Sequence, residues 1–168
     1  MKNFFRKVAF GLKPEEKAPS DPLMWAQKQV ETIPELNWKG KYIYSEKEMR
    51  KYWIKQRVTE ETTFKKKYKN DPEGLRIAEK KLEDDSGKKF WPNNEICMRH
   101  AEAVRSNSPV LAKLWYFWTN HFTISDAQSL PSFSTGAYQR EFIRANMDKT
   151  FETMAIEGTI AWPMIMHL

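Results

Sequence analysis

Cysteine is almost absent. Cys97 stands alone, so no intramolecular disulfide can form and nothing in the chain speaks for an oxidising compartment. Glycine is scarce as well, six in 168 residues, which leaves few places for Gly-rich turns. There is no phosphate-cradling Gly-rich loop, no Gly-x-Ser-x-Gly elbow and no His-Glu-x-x-His helix, which argues against the familiar enzyme classes those motifs mark. A long apolar run is missing too. The opening stretch Val8-Ala9-Phe10-Gly11-Leu12 stops at Lys13-Pro14, short of the run of about 7–15 residues a secretory signal needs. No segment approaches the roughly 18 apolar residues of a membrane span. As it stands, the chain reads as cytoplasmic.

Aromatic residues are plentiful. Seven Trp, ten Phe and six Tyr are too many for a disordered chain and enough to build a core in a single domain. The charge balance is 28 basic against 22 acidic residues, a net +6 spread over a mixed surface. Such an excess permits contact with nucleic acid or anionic lipid without arguing for either.

Punctuation along the chain is helical. Asp21-Pro22 pairs an N-cap with proline at the first helical position, opening a short helix that Pro34 limits. Residues 34–44, with Gly40, read as a connector. Ser45-Glu46-Lys47-Glu48 is a capping box, and the helix behind it is expected to reach about Lys69. Asp71-Pro72 starts another helix, which ends at the break Asp84-Asp85-Ser86-Gly87. Pro92-Asn93-Asn94 opens a further helix, and Ser106-Asn107-Ser108-Pro109 ends it and caps the next. There Leu111, Leu114, Trp115, Trp118 and Phe122 form an apolar stripe at helical period. Residues 123–137, with Pro131 and Gly136, read as a loop. One last long helix is expected from Tyr138, with Ile143, Met147, Phe151 and Met154 on one side. No sustained alternation of period two occurs. The expected fold is therefore all-α, an orthogonal or irregular bundle of about six helices, with residues 1–44 as short helix and connector and 45–168 as the helical domain. The apolar ending Ile160 to Leu168 is read as a cut in mid-domain, exposing a surface that would meet the remainder of a larger protein.

Two blocks carry a resemblance. Phe117-Trp118-Thr119-Asn120-His121-Phe122 is followed, after a loop, by Tyr138-Gln139-Arg140-Glu141-Phe142-Ile143-Arg144. This pattern resembles the bacterial family of unknown function called DUF1800, and Ala9-Phe10-Gly11-Leu12-Lys13-Pro14 is similar to the family's usual start. The resemblance is specific over about residues 110–155. It implies a longer parent protein, often exported, and no established reaction. The family commonly has a Pro-His pair after the second arginine, where Ala145 and Asn146 stand here.

Several residues invite a chemical reading beside a structural one. His121, next to Asn120 at a helix C-terminus, could be a general base or metal ligand, or a partly buried histidine, hydrogen-bonded to the following Ser/Thr loop, that fixes how the loop leaves the helix. Arg140 and Arg144, one turn apart, could grip a phosphate, sulfate or carboxylate, or could pair with Glu141 and Asp148 along the same helix. Cys97 and His100 make a Cys-x-x-His pair, but no second cysteine completes a zinc site, so no metal is expected and Cys97 is read as a small buried apolar residue. The runs Lys65-Lys66-Lys67-Tyr68-Lys69, Lys80-Lys81 and Lys88-Lys89, beside Phe90 and Trp91, could attract and stack nucleic acid. Interleaved acids such as Glu73, Glu79 and Asp84 make them look like solvated helix faces instead. The Trp115–Trp118 aromatics read as core, with a ligand pocket as the alternative. No cofactor is named by any motif. The function expected is a scaffold or interaction region. The alternatives are a hydrolase-like or metal-assisted half-site, and nucleic-acid binding through the lysine runs.

Overall fold

The computed structural model describes residues 2–38, 43–86, 91–125 and 132–168. Among these there are ten α-helical segments and no strand, so the all-α expectation holds. None of the described helices is long and apolar enough to cross a membrane. Expectations that involve Gly40, Gly87, Lys88, Lys89, Phe90 and Pro131 lie outside the described residues.

Local capping chemistry sets several of the helix starts. Helix α2 (Pro22–Lys28) begins where the Asp21 carboxylate accepts from the Leu23 and Met24 amides, both at 3.0 Å. At α3 (Glu46–Thr59) the capping box closes both ways. Ser45 Oγ accepts from the Glu48 amide (3.3 Å), and Glu48 Oε2 accepts from the Ser45 amide (2.8 Å). Those Ser45 contacts hold the Glu48 carboxyl below its usual range. A π-turn (Glu60–Phe64) and α4 (Lys65–Lys67) carry the helical path to within two residues of the expected Lys69. Asp71 caps α5 (Pro72–Ser86) through the Gly74 amide at 2.9 Å. Next come α6 (Trp91–Arg105) and α7 (Pro109–His121). Ser108 does not cap α7 with its side chain; its amide donates to Ser106 Oγ instead, at 3.0 Å.

Two departures from the sequence reading raise the number of helices above six. The first is α1 (Lys2–Val8), which the signal-peptide test passed over. It docks because Phe5 and Ala9 are buried, Phe5 meeting the edge of Trp25 at 5.3 Å. Lys113 on α7 donates to the Arg6 and Ala9 carbonyls (2.5 and 2.8 Å), satisfying acceptors the short helix leaves unpaired. Gly11, at φ +105°, then turns the chain back on itself. The second departure is at the other end, where the single long helix is several pieces. α8 (Thr135–Tyr138) runs into a π-turn (Gln139–Ile143) and a 3₁₀ turn (Arg144–Asn146). After a break, Thr150 caps α9 (Phe151–Ile160), its Oγ1 accepting from the Thr153 amide at 3.2 Å, and α10 (Trp162–Ile165) follows. The apolar spacing continues across that break, which is why it looked like one helix.

The core has two centres. The larger gathers Trp115, Ile124, Tyr138, Ile143, Met154, Ala161 and Met164, with the connector residues Leu36 and Trp38 laid over it. Gly158 lets α9 come close there: a Cβ at that position would stand 3.1 Å from Ile143 Cδ1. The smaller joins Met49, Trp91, Phe133 and Ala137, ringed by Tyr44, Tyr52, Trp53 and Trp162. Each large side chain so buried contributes about 1.5–3 kcal/mol. Trp91 is therefore core, packed on Tyr44 and Tyr52 at 5.0 and 5.1 Å, and is not available to stack on a base. Cys97 is corrected in the opposite sense. It is exposed, because it lies two residues, about 200° of helix, beyond the buried Glu95.

Candidate functional site

The two sequence blocks meet around Trp115. Its indole N–H donates to the Gln139 carbonyl at 2.9 Å, joining α7 to the π-turn. That turn separates the two arginines. In a regular α-helix Arg140 and Arg144 would share a face. With one turn widened and the next tightened to 3₁₀, each reaches its own partners.

Arg140 faces α6. Its Nε donates to Glu95 Oε1 and Oε2 (3.1 and 3.0 Å), and its Nη2 donates to Glu95 Oε1 (2.8 Å) and to the Tyr44 carbonyl (2.6 Å). Nη1 stands 3.6 Å from Glu141 Oε1, and the guanidinium lies 6.0 Å from the Trp38 ring. Glu95 is 4% exposed, so this is a buried, charge-assisted pair. Gly136 makes it possible. A Cβ there would sit 2.2 Å from Glu95 Cγ, so α8 and α6 approach only through glycine.

Arg144 faces the connector. Nη2 donates to the Pro34 carbonyl at 2.6 Å, and the guanidinium lies over Trp115 at 5.6 Å. Burial draws its pKa down, while the Glu102 carboxylate draws it up. The expected pairing along the helix with Asp148 does not form. Asp148 lies past the end of the 3₁₀ turn and meets Lys149 at 3.3 Å. Glu141, between the arginines, accepts from the Glu46 amide with both oxygens at 3.2 Å, joining the start of α3. Burial raises its pKa, against that hydrogen bond and Arg140, and the Glu46 and Glu95 charges add to the rise. Tyr138 is fully buried, and burial pushes its phenol well above the ordinary range.

His121 and Asn120 sit apart from this network. Both are exposed on the last turn of α7. The His121 ring stacks on Phe117 (6.2 Å, 13°) and meets the edges of Trp118 (5.8 Å) and Phe122 (5.3 Å). Phe151, from α9, closes the group on Trp118 at 5.6 Å. Of the four aromatics from Trp115 to Trp118, Trp115 is buried and Phe117 is 56% exposed, so the stretch is part core and part surface. Asn120 points elsewhere. It lines a cleft of about 330 Å³ with Glu95, Arg99 and Gln139, whereas His121 is not among the lining residues.

The family model of DUF1800, a protein of unknown function, matches residues 3–168. The chain belongs to this family. No curated protein and no solved structure matches it. The match to DUF1800 spans both blocks and the Ala9–Pro14 stretch, and it brings no reaction with it.

Sequence reasoning missed Glu95, Arg99, Tyr44 and Trp38. Glu95 is 45 residues from Arg140 and bears no local signature, so no spacing rule could have joined them. His100, which the sequence pairs with Cys97, instead has its Nδ1 2.7 Å from the Tyr116 hydroxyl. Among the described residues there is no group of three or more His, Cys, Asp or Glu placed to hold a metal.

Proposed function

We propose that this DUF1800 chain is a helical scaffold and interaction region, in which the Tyr-x-Arg-Glu-x-x-Arg helix is an internal tie. The carrying observation is that Arg140 and Arg144 direct their donors to Glu95 and to the Tyr44 and Pro34 carbonyls inside the chain. Residues 1–44 then act as a strap over the helical region 45–168, with Trp38 packed on Trp115 at 5.7 Å. The aromatic end at Phe117, His121 and Phe151 is the surface offered to a partner.

A comparison of variants tests this. Residues kept for ligand chemistry can often be replaced without loss of stability, and sometimes with a gain. Residues kept as ties cannot. Arg140→Met and Arg144→Met are expected to lower the urea midpoint clearly, while Asn120→Ala and His121→Ala leave it in place. Unchanged midpoints for both arginine variants would remove the reading.

The second reading is a hydrolase-like or metal-assisted half-site of Asn120, His121, Arg140 and Arg144. It draws support from the cleft that Asn120 shares with Glu95, the acid on Arg140. Nucleic-acid binding through the lysine runs draws the least, since Trp91 is in the core and Arg76, among those helices, pairs with Glu73 at 2.6 Å.

A further inference from the structure

A second cleft owes its shape to the stretch that the Gly11 turn folds back. Lys13 ties that stretch to the end of α6. Its Nζ donates to the Arg105 carbonyl (3.2 Å) and to Asn107 Oδ1 (3.0 Å), a cation set against the unpaired carbonyls of a helix C-terminus. Between the stretch and the α6–α7 corner lies a cleft of about 470 Å³, within the range of small-molecule sites. Its walls are mostly apolar, from Phe10, Leu12, Pro14, Val104 and Pro109. Phe10 meets Tyr116, which also lines the cleft, at 5.6 Å and 80°, so the two rings make an aromatic corner.

The other polar liners are engaged. Glu16 Oε2 accepts from the Lys13 amide at 3.1 Å, and Ser106 Oγ accepts from the Ser108 amide at 3.0 Å. Lys13 and Glu16 cancel in charge, and Arg99, whose guanidinium lies 4.9 Å from the Tyr116 ring, is not among the lining residues. The exception is the pair His100 and Tyr116, both lining residues, whose hydrogen bond (Nδ1 to hydroxyl, 2.7 Å) lies at the exposed surface. With His100 neutral, this pair has capacity to spare whichever partner donates. If Tyr116 donates, His100 carries its proton on Nε2 and the phenol oxygen keeps a lone pair. If Nδ1 donates, the phenol hydrogen is released and Nε2 is an acceptor. Either way one donor and one acceptor remain for a third group.

We propose that this cleft binds a neutral, hydroxyl-bearing aromatic molecule, its ring in the Phe10–Tyr116 corner and its hydroxyl on the His100–Tyr116 pair. A hydroxyl both gives and takes a hydrogen bond, so it suits the pair in either tautomer. A lining without net charge selects against an anion or a cation. The proposal goes beyond the scaffold reading and does not depend on it.

The test is a titration of the ¹⁵N-labelled chain with phenol, anisole and sodium benzoate at neutral pH and matched ionic strength, followed by amide chemical shifts. Anisole keeps the ring and the oxygen and removes the donor; benzoate adds a charge. Phenol is expected to saturate, moving the amides of Gly11, Leu12, Ala103 and Val104, and to bind about fivefold more tightly than anisole, as one net hydrogen bond implies. Benzoate should bind more weakly than phenol. The double variant His100→Leu, Tyr116→Phe should erase the difference between phenol and anisole while leaving anisole binding in place. If that variant does not fold, the three ligands on the parent chain still decide. The proposal is overturned if phenol does not saturate, if the shifted amides lie elsewhere, if anisole or benzoate matches phenol, or if a folded double variant keeps the preference.

Discussion

The Tyr138–Arg144 block and the Phe117–Phe122 block belong to one family pattern, yet they live in different physical surroundings. In the first, polar groups are buried and paired across the chain, over separations of 45 to 110 residues. In the second, Asn120 and His121 face solvent, and the contacts of His121 are ring faces and edges. A shared motif is therefore not a shared site. Buried charge has to be answered by partners, and once answered it holds distant segments together. Exposed polar groups at a helix end carry no such obligation and are open to something outside the chain.

The comparison can be broken most readily at Arg140. Arg140→Met strands Glu95 in the interior and is expected to cost about 3–5 kcal/mol in urea unfolding. Replacing Glu95 and Arg140 together by apolar residues should recover much of that, which separates a lost pair from a lost shape. Arg144→Met comes next, at about 1.5–3 kcal/mol for a charged hydrogen bond to the Pro34 carbonyl, with loosening of residues 34–38 in hydrogen exchange. Gly136→Ala should cost about 1–3 kcal/mol by driving a methyl group into Glu95, and should weaken the Arg140 pair as a consequence.

Glu141 sharpens the contrast through pH. Burial raises its pKa above the ordinary 4.5, so the folded chain holds this proton more tightly than the unfolded one. Its favourable contribution is full below the unfolded value and is lost as pH rises through the folded one. Glu141→Gln keeps an acceptor for the Glu46 amide and removes the buried charge. The variant should gain stability relative to the parent chain at neutral pH, and the gain should shrink toward acid pH in thermal unfolding. His121→Ala has the smallest expected effect, within about 0.5 kcal/mol, because its ring is at the surface.

What could be read in the sequence was what is local. Asp21, Asp71 and the Ser45–Glu48 box mark helix starts through bonds spanning two or three residues, and the stripe ending at Phe122 gives α7 its period. The fold class followed from these. The break at Asp148-Lys149-Thr150 was hidden because apolar spacing runs through it, although Thr150 is an N-cap residue type. The π-turn at Gln139–Ile143 has no sequence signature, so the divergence of the two arginines could not be foreseen. In the sequence, nothing sets Glu95 and Arg99 apart from other polar positions of a helix. Only packing against α8 and the turn after it makes one the partner of Arg140 and the other a donor to Gln139.

The most direct test of the central claim is a double-mutant cycle on Arg140 and Glu95, read as urea unfolding free energies of the parent chain, Arg140→Met, Glu95→Met and the double variant. The account predicts a large coupling, with each single variant strongly destabilised and the double variant far better than the sum of the two. Additive, small effects would contradict it, and would return Arg140 to the list of residues kept for a ligand.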